Sequence, residues 1–230
     1  MSMSGVLSRR KADEAVEQGE IMINDRVAVQ GDHVFPGDTV TYKGKQVSVS
    51  SARRVILAYN KPLGLVCTSK DADKDSIFRK LDYPEMLYYV GRLDKNSYGL
   101  LLLTNDGELA NQIQKARNNH EKEYLVKVDK PLTREFLEGM TAGVPLEERT
   151  TKPCKIIRMK TANEYSRDTF RIIITEGINH QIRRMCEYFG YKVVFLKRVR
   201  VMNIPLGNLQ PGEYRKLSKN EEKTLRELCK

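Results

Sequence analysis

A carboxylate lies between two cations immediately before the most apolar run of the chain. The sequence RLDK occupies 92–95, and four leucines follow at 100–103. Desolvation at the rim of a buried strand raises a carboxyl pKa and a close guanidinium lowers it again, so Asp94 would be ionised but poorly hydrated. Such a carboxylate is a competent nucleophile. The structural alternative, in which Asp94 caps a turn beside Lys95, also fits the spacing.

A second candidate is the cationic segment at 178–200, which carries six basic residues and one acid. Four apolar residues within it recur at the spacing of a buried helical face: Ile182, Met185, Cys186 and Phe189. Arg183 and Arg184 flank this face, and the density of positive charge suits phosphate binding. The alternative is a solvated helix surface on which Arg183 pairs with Glu187.

Tyr124 lies in the alternating segment KEYLVKV, which predicts a half-buried strand. A lone tyrosine on such a face is usually a core residue with a satisfied hydroxyl. A platform on which a nucleic-acid base stacks is the functional alternative.

The charge balance favours a polyanionic partner. The chain has 40 Lys and Arg against 30 Asp and Glu, a net charge of +10. Residues 1–50 hold 6 basic and 7 acidic side chains, so residues 51–230 hold 34 and 23, a net of +11. The cationic surface therefore belongs to the larger part, and nucleic acid is its simplest partner.

Several other classes of protein are disfavoured. No apolar run is long enough to cross a bilayer, and the N-terminus has no signal core, so we expect a cytoplasmic protein. The four cysteines are scattered, which indicates a reducing compartment. Three distant histidines show no metal-ligand pattern, and a polar loop explains Asp71, Asp73 and Asp75 better than magnesium does.

The elements that position these residues divide the chain in two. Residues 1–47 predict a helix that ends at Gly19 and then short hairpins, and 48–54 is a serine-rich linker. Residues 55–230 alternate strands with helices, among them helices that begin after Thr133 and Ser218. We predict an α+β fold with a mixed, mainly antiparallel sheet behind a small N-terminal module.

The motifs resemble those of the RsuA-type pseudouridine synthase family. GRLDKNSYGLLLLTNDG resembles its catalytic motif, YNKPLG its first motif and EKEYLV its tyrosine motif, while EGINHQIRRM with VVFLKRVRVMNI resembles its basic and leucine motif. All four occur in the family's order over 55–218. The segment SGVLSRRKADEAVEQGEIMIND resembles a small RNA-binding module first described in a ribosomal protein. NHEKEYLVKVDKPLTREFLEGMTAGVP is most similar to the RluF branch.

The resemblance implies an isomerase that converts a uridine of large-subunit ribosomal RNA to pseudouridine without a cofactor. Asp94 would be the nucleophile, Arg183 its ion-pair partner, and Tyr124 the residue that stacks on the base and helps move the carbon-5 proton. Leu196 would line the pocket, and Arg92 would fill the gap left by the flipped base. Whether the carboxylate attacks the sugar or the base, or the reaction runs through a glycal, stays open.

Further residues are predicted to bind RNA by phosphate contacts or by their position in these motifs. In the catalytic domain they are Arg92, Leu93, Lys95, Asn179, His180, Gln181, Arg184, Leu196, Lys197, Arg198 and Arg200, and in the N-terminal module Arg9, Arg10 and Lys11.

Three alternatives remain beside this interpretation. One is a non-catalytic RNA-binding or ribosome-assembly protein in which Asp94 is dispensable. Another is a pseudouridine synthase that acts on small-subunit ribosomal RNA or transfer RNA. A metal-dependent nuclease is disfavoured by the wide spacing of the acids. We expect a monomer, and an N-terminal module that begins later than in the family.

Overall fold

The structure is a computed structural model that describes residues 6–7, 9–47, 54–68, 73–115, 119–160 and 165–229, except for the side chains of Arg9 and Tyr165. Six of the seven residues of the predicted linker, 48–53, lie outside the described residues, as does Asp71.

Helices and strands alternate along the chain. The helices are α1 (Arg9–Glu17), α2 (Ile77–Lys80), α3 (Gly107–Gln114), α4 (Arg134–Ala142), α5 (Gln181–Tyr188) and α6 (Lys219–Leu228). The strands are β1 (Ile21–Ile23), β2 (Arg26–Val27), β3 (Val40–Tyr42), β4 (Lys45–Gln46), β5 (Ile56–Lys61), β6 (Tyr88–Val90), β7 (Tyr98–Thr104), β8 (Lys122–Val128), β9 (Lys155–Lys160), β10 (Tyr165–Ile174), β11 (Val193–Val201), β12 (Ile204–Pro205) and β13 (Tyr214–Lys216).

The N-terminal helix and hairpins form as predicted. The chain leaves α1 through Gly19, whose φ of +69° is a conformation that glycine adopts without steric cost. β1 to β4 then form a four-stranded sheet in the order β2-β1-β3-β4. Its small core is built from Ala15, Ile21, Ile23, Ala28 and Val40.

The second sheet has nine strands, seven of which follow the order β13-β5-β7-β11-β8-β10-β9. β6 pairs with β7 and β12 with β11. Every pair is antiparallel except β7 with β11, so the predicted α+β class with a mixed, mainly antiparallel sheet is confirmed.

The four-leucine run anchors this sheet between two layers. Leu101 and Leu103 pack into one core, and Leu100 and Leu102 into a second core. All four leucines are 0% exposed. Burial of each leucine contributes about 1.5–3 kcal/mol, so β7 is a rigid element. The loop that carries Asp94 leads directly into β7, so this strand fixes the end of the loop.

The predicted helix starts are confirmed. Thr133 Oγ1 accepts a hydrogen bond from the N–H of Phe136 at the start of α4. Ser218 and Glu221 form a reciprocal capping box at the start of α6. These caps satisfy main-chain N–H groups that otherwise have no partner in the first turn.

No helix within the described residues is long and apolar enough to cross a membrane. In the same part of the chain, no group of three or more His, Cys, Asp or Glu side chains is arranged as a metal site. The four cysteines are free thiols.

Candidate active site

Four neighbouring strands place one row of residues across the large sheet: Lys61 on β5, Gly99 on β7, Arg198 on β11 and Tyr124 on β8. Lys61 pairs with Gly99, Gly99 with Arg198, and Arg198 with Tyr124. The row lies at the N-terminal end of β7, where the loop that carries Asp94 enters the sheet. The sheet register therefore brings together residues up to 137 positions apart (61 to 198).

The Asp94 side chain is 36% exposed and does not cap its own turn. The N–H of Ser97 donates to the main-chain oxygen of Asp94 over 3.0 Å. Among the described residues, the one basic side chain within salt-bridge distance of the carboxylate is the His180 imidazole, whose Nε2 lies 3.5 Å from Oδ1. The carboxylate oxygens are thus left available for chemistry, which favours the functional interpretation of the motif.

Lys61 hydrogen-bonds to the main chain of the loop that carries Asp94. Its side chain is 0% exposed, and Nζ donates to the main-chain oxygens of Ser97 (2.7 Å) and Pro62 (3.0 Å). Burial lowers the pKa of Lys61 to about 8, an effect that the nearby Cys67 and Asp94 oppose. A lysine buried at this cost places positive charge beneath the loop that carries Asp94.

Cys67 holds the other side of the loop. Its Sγ lies 3.4 Å from the N–H of Leu93, which donates to it, and burial raises the pKa of this thiol. The N–H of Gly64 donates to the main-chain oxygen of Lys95 over 2.9 Å. Both residues flanking Asp94 are therefore fixed through their main chains.

Arg183 also contacts the loop, but not through the predicted ion pair with Asp94. Its Nη2 donates to the main-chain oxygen of Asn96 (2.6 Å) and to Ser97 Oγ (3.4 Å). No salt bridge joins Arg183 to Asp94, or to Glu187, in the described part of the chain. The first turn of α5 holds the guanidinium against the main-chain oxygen of Asn96 in the Asp94 loop.

Arg198 is not a surface phosphate ligand, contrary to the prediction. It is 2% exposed, because glycine at position 99 lets β11 come close to β7. A Cβ atom at Gly99 would lie 2.3 Å from the main-chain oxygen of Arg198. Arg198 Nε donates to Leu100 O (2.7 Å) and Nη1 to Arg92 O (3.4 Å), so the side chain ties the start of the loop to β7.

Tyr124 lies beside Arg198 in the row. It is 8% exposed and packs in the larger core, with the Arg198 guanidinium 6.0 Å from its ring centroid. Its hydroxyl has no hydrogen-bond partner among the described residues, and it is not one of their fully buried unpaired atoms. The polar tip of Tyr124 is therefore not completely sealed from solvent.

A buried carboxylate fixes the segment before α5. Glu176 is 2% exposed and accepts from Arg149 Nη2 (3.0 Å), the N–H of Lys152 (2.9 Å) and Gln181 Nε2 (2.9 Å). Gln181, predicted to bind RNA, is 4% exposed and belongs to this network instead. The network presents His180, whose φ is +52°, toward Asp94.

Two more predicted phosphate ligands are engaged by acids. Arg200 donates to Glu123 (2.8 Å) and Glu121 (2.8 Å), and its hydrogen bond helps to lower the pKa of Glu123 against the opposing effect of burial. Arg184 makes a two-pronged salt bridge with Glu148. The local density of charged residues in the sequence does not reveal such partners, because they lie far apart along the chain.

The remaining predicted residues divide between the surface and the core. Arg92, Asn179 and His180 are exposed around Asp94. Lys95 pairs with Asp75 over 2.7 Å, and Lys197 Nζ lies 5.9 Å from the Tyr98 ring centroid. Leu93 and Leu196 are each 5% exposed. Arg10 and Lys11 are exposed on α1, and the Arg9 side chain is outside the described residues.

Sequence reasoning assigned no site role to Lys61, Cys67 or Glu176. Lys61 carries a detectable signal, because it is a charged residue that directly follows the largely apolar segment VILAYN. Cys67 and Glu176 carry no such signal, since their function depends on partners from other elements.

Comparisons with known proteins agree with the motifs. A family model described as RNA pseudouridylate synthase matches residues 55–188. The dual-specificity RNA pseudouridine synthase RluF of Escherichia coli K12 is 46% identical over 222 residues, which are 96% of this chain and 74% of that protein. Ribosomal large subunit pseudouridine synthase B of Bacillus subtilis 168 is 33% identical over 98% of this chain and 93% of that protein.

One solved structure matches nearly the whole chain. It is described as a crystal structure of pseudouridylate synthase and superposes with a TM-score of 0.69 at 30% identity, covering 97% of this chain and 96% of that chain. The predicted resemblance, including the RluF branch, is confirmed.

Proposed function

This chain belongs to the RNA pseudouridylate synthase family, and we propose that it isomerises a uridine of large-subunit ribosomal RNA with Asp94 as the nucleophile. The similarity to RNA pseudouridine synthase RluF of Escherichia coli and to ribosomal large subunit pseudouridine synthase B of Bacillus subtilis supports the reaction and the RNA class. The observation that carries the assignment of Asp94 is the contrast between its fixed main chain and its carboxylate, which accepts no hydrogen bond from the described residues and has the His180 imidazole 3.5 Å from Oδ1.

The reaction breaks the bond between N1 of uracil and C1′ of ribose and forms a bond between C5 and C1′. The proton on C5 is lost and N1 gains one, so no redox partner is needed. A uridine stacked in RNA hides this bond, and the enzyme must extrude the base at a cost of a few kcal/mol. Tyr124 would stack on the extruded base, and its hydroxyl would assist removal of the C5 proton.

Fixed geometry is what a nucleophile needs most from its protein. Cys67 and Gly64 hold the residues on either side of Asp94, and Lys61 and Arg183 hold the two residues that follow Lys95. The cations donate to main-chain oxygens of the loop, so they fix it without covering the carboxylate oxygens of Asp94.

The RNA would lie on the exposed residues around Asp94. Arg92, Asn179, His180 and Lys197 remain to contact it, while RNA contact by Lys95 requires its pair with Asp75 to open. We assign 1–47 to an RNA-binding module, 48–54 to a linker and 55–230 to the catalytic domain. We further propose that the protein is a monomer and acts in the cytoplasm, where ribosomal RNA is found.

Release of tritium from RNA labelled at carbon 5 of uridine tests this function. We expect release from a large-subunit ribosomal RNA transcript, followed by mapping of pseudouridine to one site. A small-subunit transcript prepared in the same way is the matched control. Release from neither transcript, or from the small-subunit transcript alone, would contradict the proposed substrate.

A further inference from the structure

Both terminal nitrogens of Arg184 hydrogen-bond to one acid, Glu148. Its Nη1 lies 2.6 Å from Glu148 Oε1, and its Nη2 lies 2.5 Å from Glu148 Oε2. This parallel geometry is the one by which arginine binds phosphate or carboxylate most strongly. The Arg184 hydrogen bond lowers the pKa of Glu148 to about 2, so the pair is charged at neutral pH.

The loop that presents Glu148 is fixed at both ends. Pro145 and Thr150 form an antiparallel bridge, and the N–H of Leu146 donates to the main-chain oxygen of Arg149 over 3.1 Å. Arg149 in turn pairs with the buried Glu176. A rigid turn therefore holds Glu148 against α5, so its contact with Arg184 is determined by the fold of this loop.

Arg184 lies next along α5 to a residue that contacts the Asp94 loop, and the pair is partly exposed. Arg184 follows Arg183, which bonds to the Asp94 loop. The Arg184 side chain is 26% exposed and that of Glu148 is 48% exposed, so an incoming phosphate can compete for the guanidinium. Glu147 adds a second negative charge that acts on Arg184.

We propose that Glu148 is a specificity-determining residue that occupies Arg184 until a correctly docked RNA displaces it. Non-target RNA would bind without Arg184, because a single loosely placed phosphate does not compete with a chelating carboxylate. Target RNA, anchored by its other contacts, would place a phosphate on Arg184 and gain this contact. The inference rests on the proposed function in that it assumes RNA at this site.

Binding of a 16-nucleotide oligoadenylate, followed by fluorescence anisotropy across a range of salt concentrations, tests the proposal. Glu148→Gln should bind this non-target RNA about fivefold or more tightly, and the plot of log K against log salt should become steeper by about 0.7, the value for one added single-strand phosphate contact. The matched control is Glu138→Gln, which breaks the exposed pair with Arg134 (2.7 Å) and changes net charge equally.

Two further variants distinguish the effect of freeing Arg184 from the effect of removing the negative charge of Glu148. In Glu148→Gln with Arg184→Gln, both the tighter binding and the steeper slope should disappear. Arg184→Gln alone should leave oligoadenylate affinity within about twofold while weakening binding of the large-subunit transcript. This variant keeps Glu148, so it also serves if Glu148→Gln does not fold.

The proposal is overturned if Glu148→Gln binds oligoadenylate no more tightly than Glu138→Gln, or if the gain persists in the double variant. An equal loss of affinity for both RNAs in Arg184→Gln overturns it as well. These are binding measurements, and tritium release reports the proposed function separately. A protein that shows the predicted slopes but no isomerisation would retain this inference and lose the enzymatic one.

Discussion

Arg183 Nη2 lies 2.6 Å from the main-chain oxygen of Asn96, two residues beyond the carboxylate that it was expected to pair with. The guanidinium thus fixes the backbone that carries Asp94 and leaves the Asp94 oxygens open. Lys61 does the same one residue further, at the oxygen of Ser97. Positive charge and rigid geometry are supplied together, and within the described part of the chain no Arg or Lys forms a salt bridge with Asp94 that substrate would have to break.

Replacement of Arg183 should impair turnover more than binding. Arg183→Ala removes the donor to Asn96, and a displacement of the nucleophile by about 1 Å can cost about 100-fold in rate. We expect a loss of this size in single-turnover tritium release, with RNA affinity reduced by only a few-fold. Arg134→Ala, on an exposed part of α4, is the control, and full activity of Arg183→Ala would remove Arg183 from the site.

Gly99→Ala should destabilise the protein strongly. The added Cβ would lie 2.3 Å from the main-chain oxygen of Arg198, and φ is +103° at this position. We expect a loss of about 2–4 kcal/mol in the free energy of unfolding, measured with urea. Gly177→Ala, where nothing lies within 4 Å of the added atom, should lose less than about 1 kcal/mol. Similar losses in both variants would refute the close approach of β7 and β11.

Lys61 should make stability depend on pH in the alkaline range. Burial lowers its pKa from 10.5 to about 8, so between these values the unfolded chain binds more protons than the folded protein. The free energy of unfolding of the native protein should therefore rise with pH relative to Lys61→Met, by at most about 1.4 kcal/mol per pH unit.

Urea unfolding of both proteins at intervals from pH 7.5 to 10 measures this difference. The gain in the free energy of unfolding of the native protein relative to Lys61→Met should be fully present above pH 10.5 and lost as the pH falls through about 8. Lys122, whose pKa burial also lowers to about 8, is present in both proteins and cancels in the comparison. Parallel pH curves would show that Lys61 is not the group responsible.

The exposed cations of α1 should contribute to RNA affinity and not to chemistry. Arg10→Gln with Lys11→Gln should weaken binding of the large-subunit transcript and make its salt dependence shallower, because phosphate contacts are lost. Single-turnover tritium release at saturating RNA should stay within about twofold of the native rate. Unchanged affinity would remove the RNA-binding assignment from the N-terminal module.

Local patterns predicted the elements of this fold well. The four leucines predicted β7, the alternation around Tyr124 predicted β8, and Ser218 with Glu221 predicted the start of α6. Each of these signals lies within a few residues of the element that it describes. The helical spacing of Ile182, Met185 and Cys186 likewise identified the buried face of α5.

The partners of the arginines could not be predicted in this way. Arg198 bonds to a carbonyl 98 residues earlier, and Arg184 pairs with an acid 36 residues earlier. Whether a cation faces solvent, a carbonyl or a carboxylate depends on sheet register and loop placement. Charge density alone therefore overstated the number of arginines that are free to bind phosphate.

Isomerisation by Asp94→Asn tests the central claim most directly. The asparagine is nearly isosteric, so the loop contacts of Cys67, Lys61 and Arg183 remain, while the nucleophilic charge is lost. We predict that the variant binds large-subunit ribosomal RNA with an affinity within about threefold of the native protein and releases no tritium from carbon 5 above background. Tritium release at or near the native rate would show that this carboxylate is not the nucleophile.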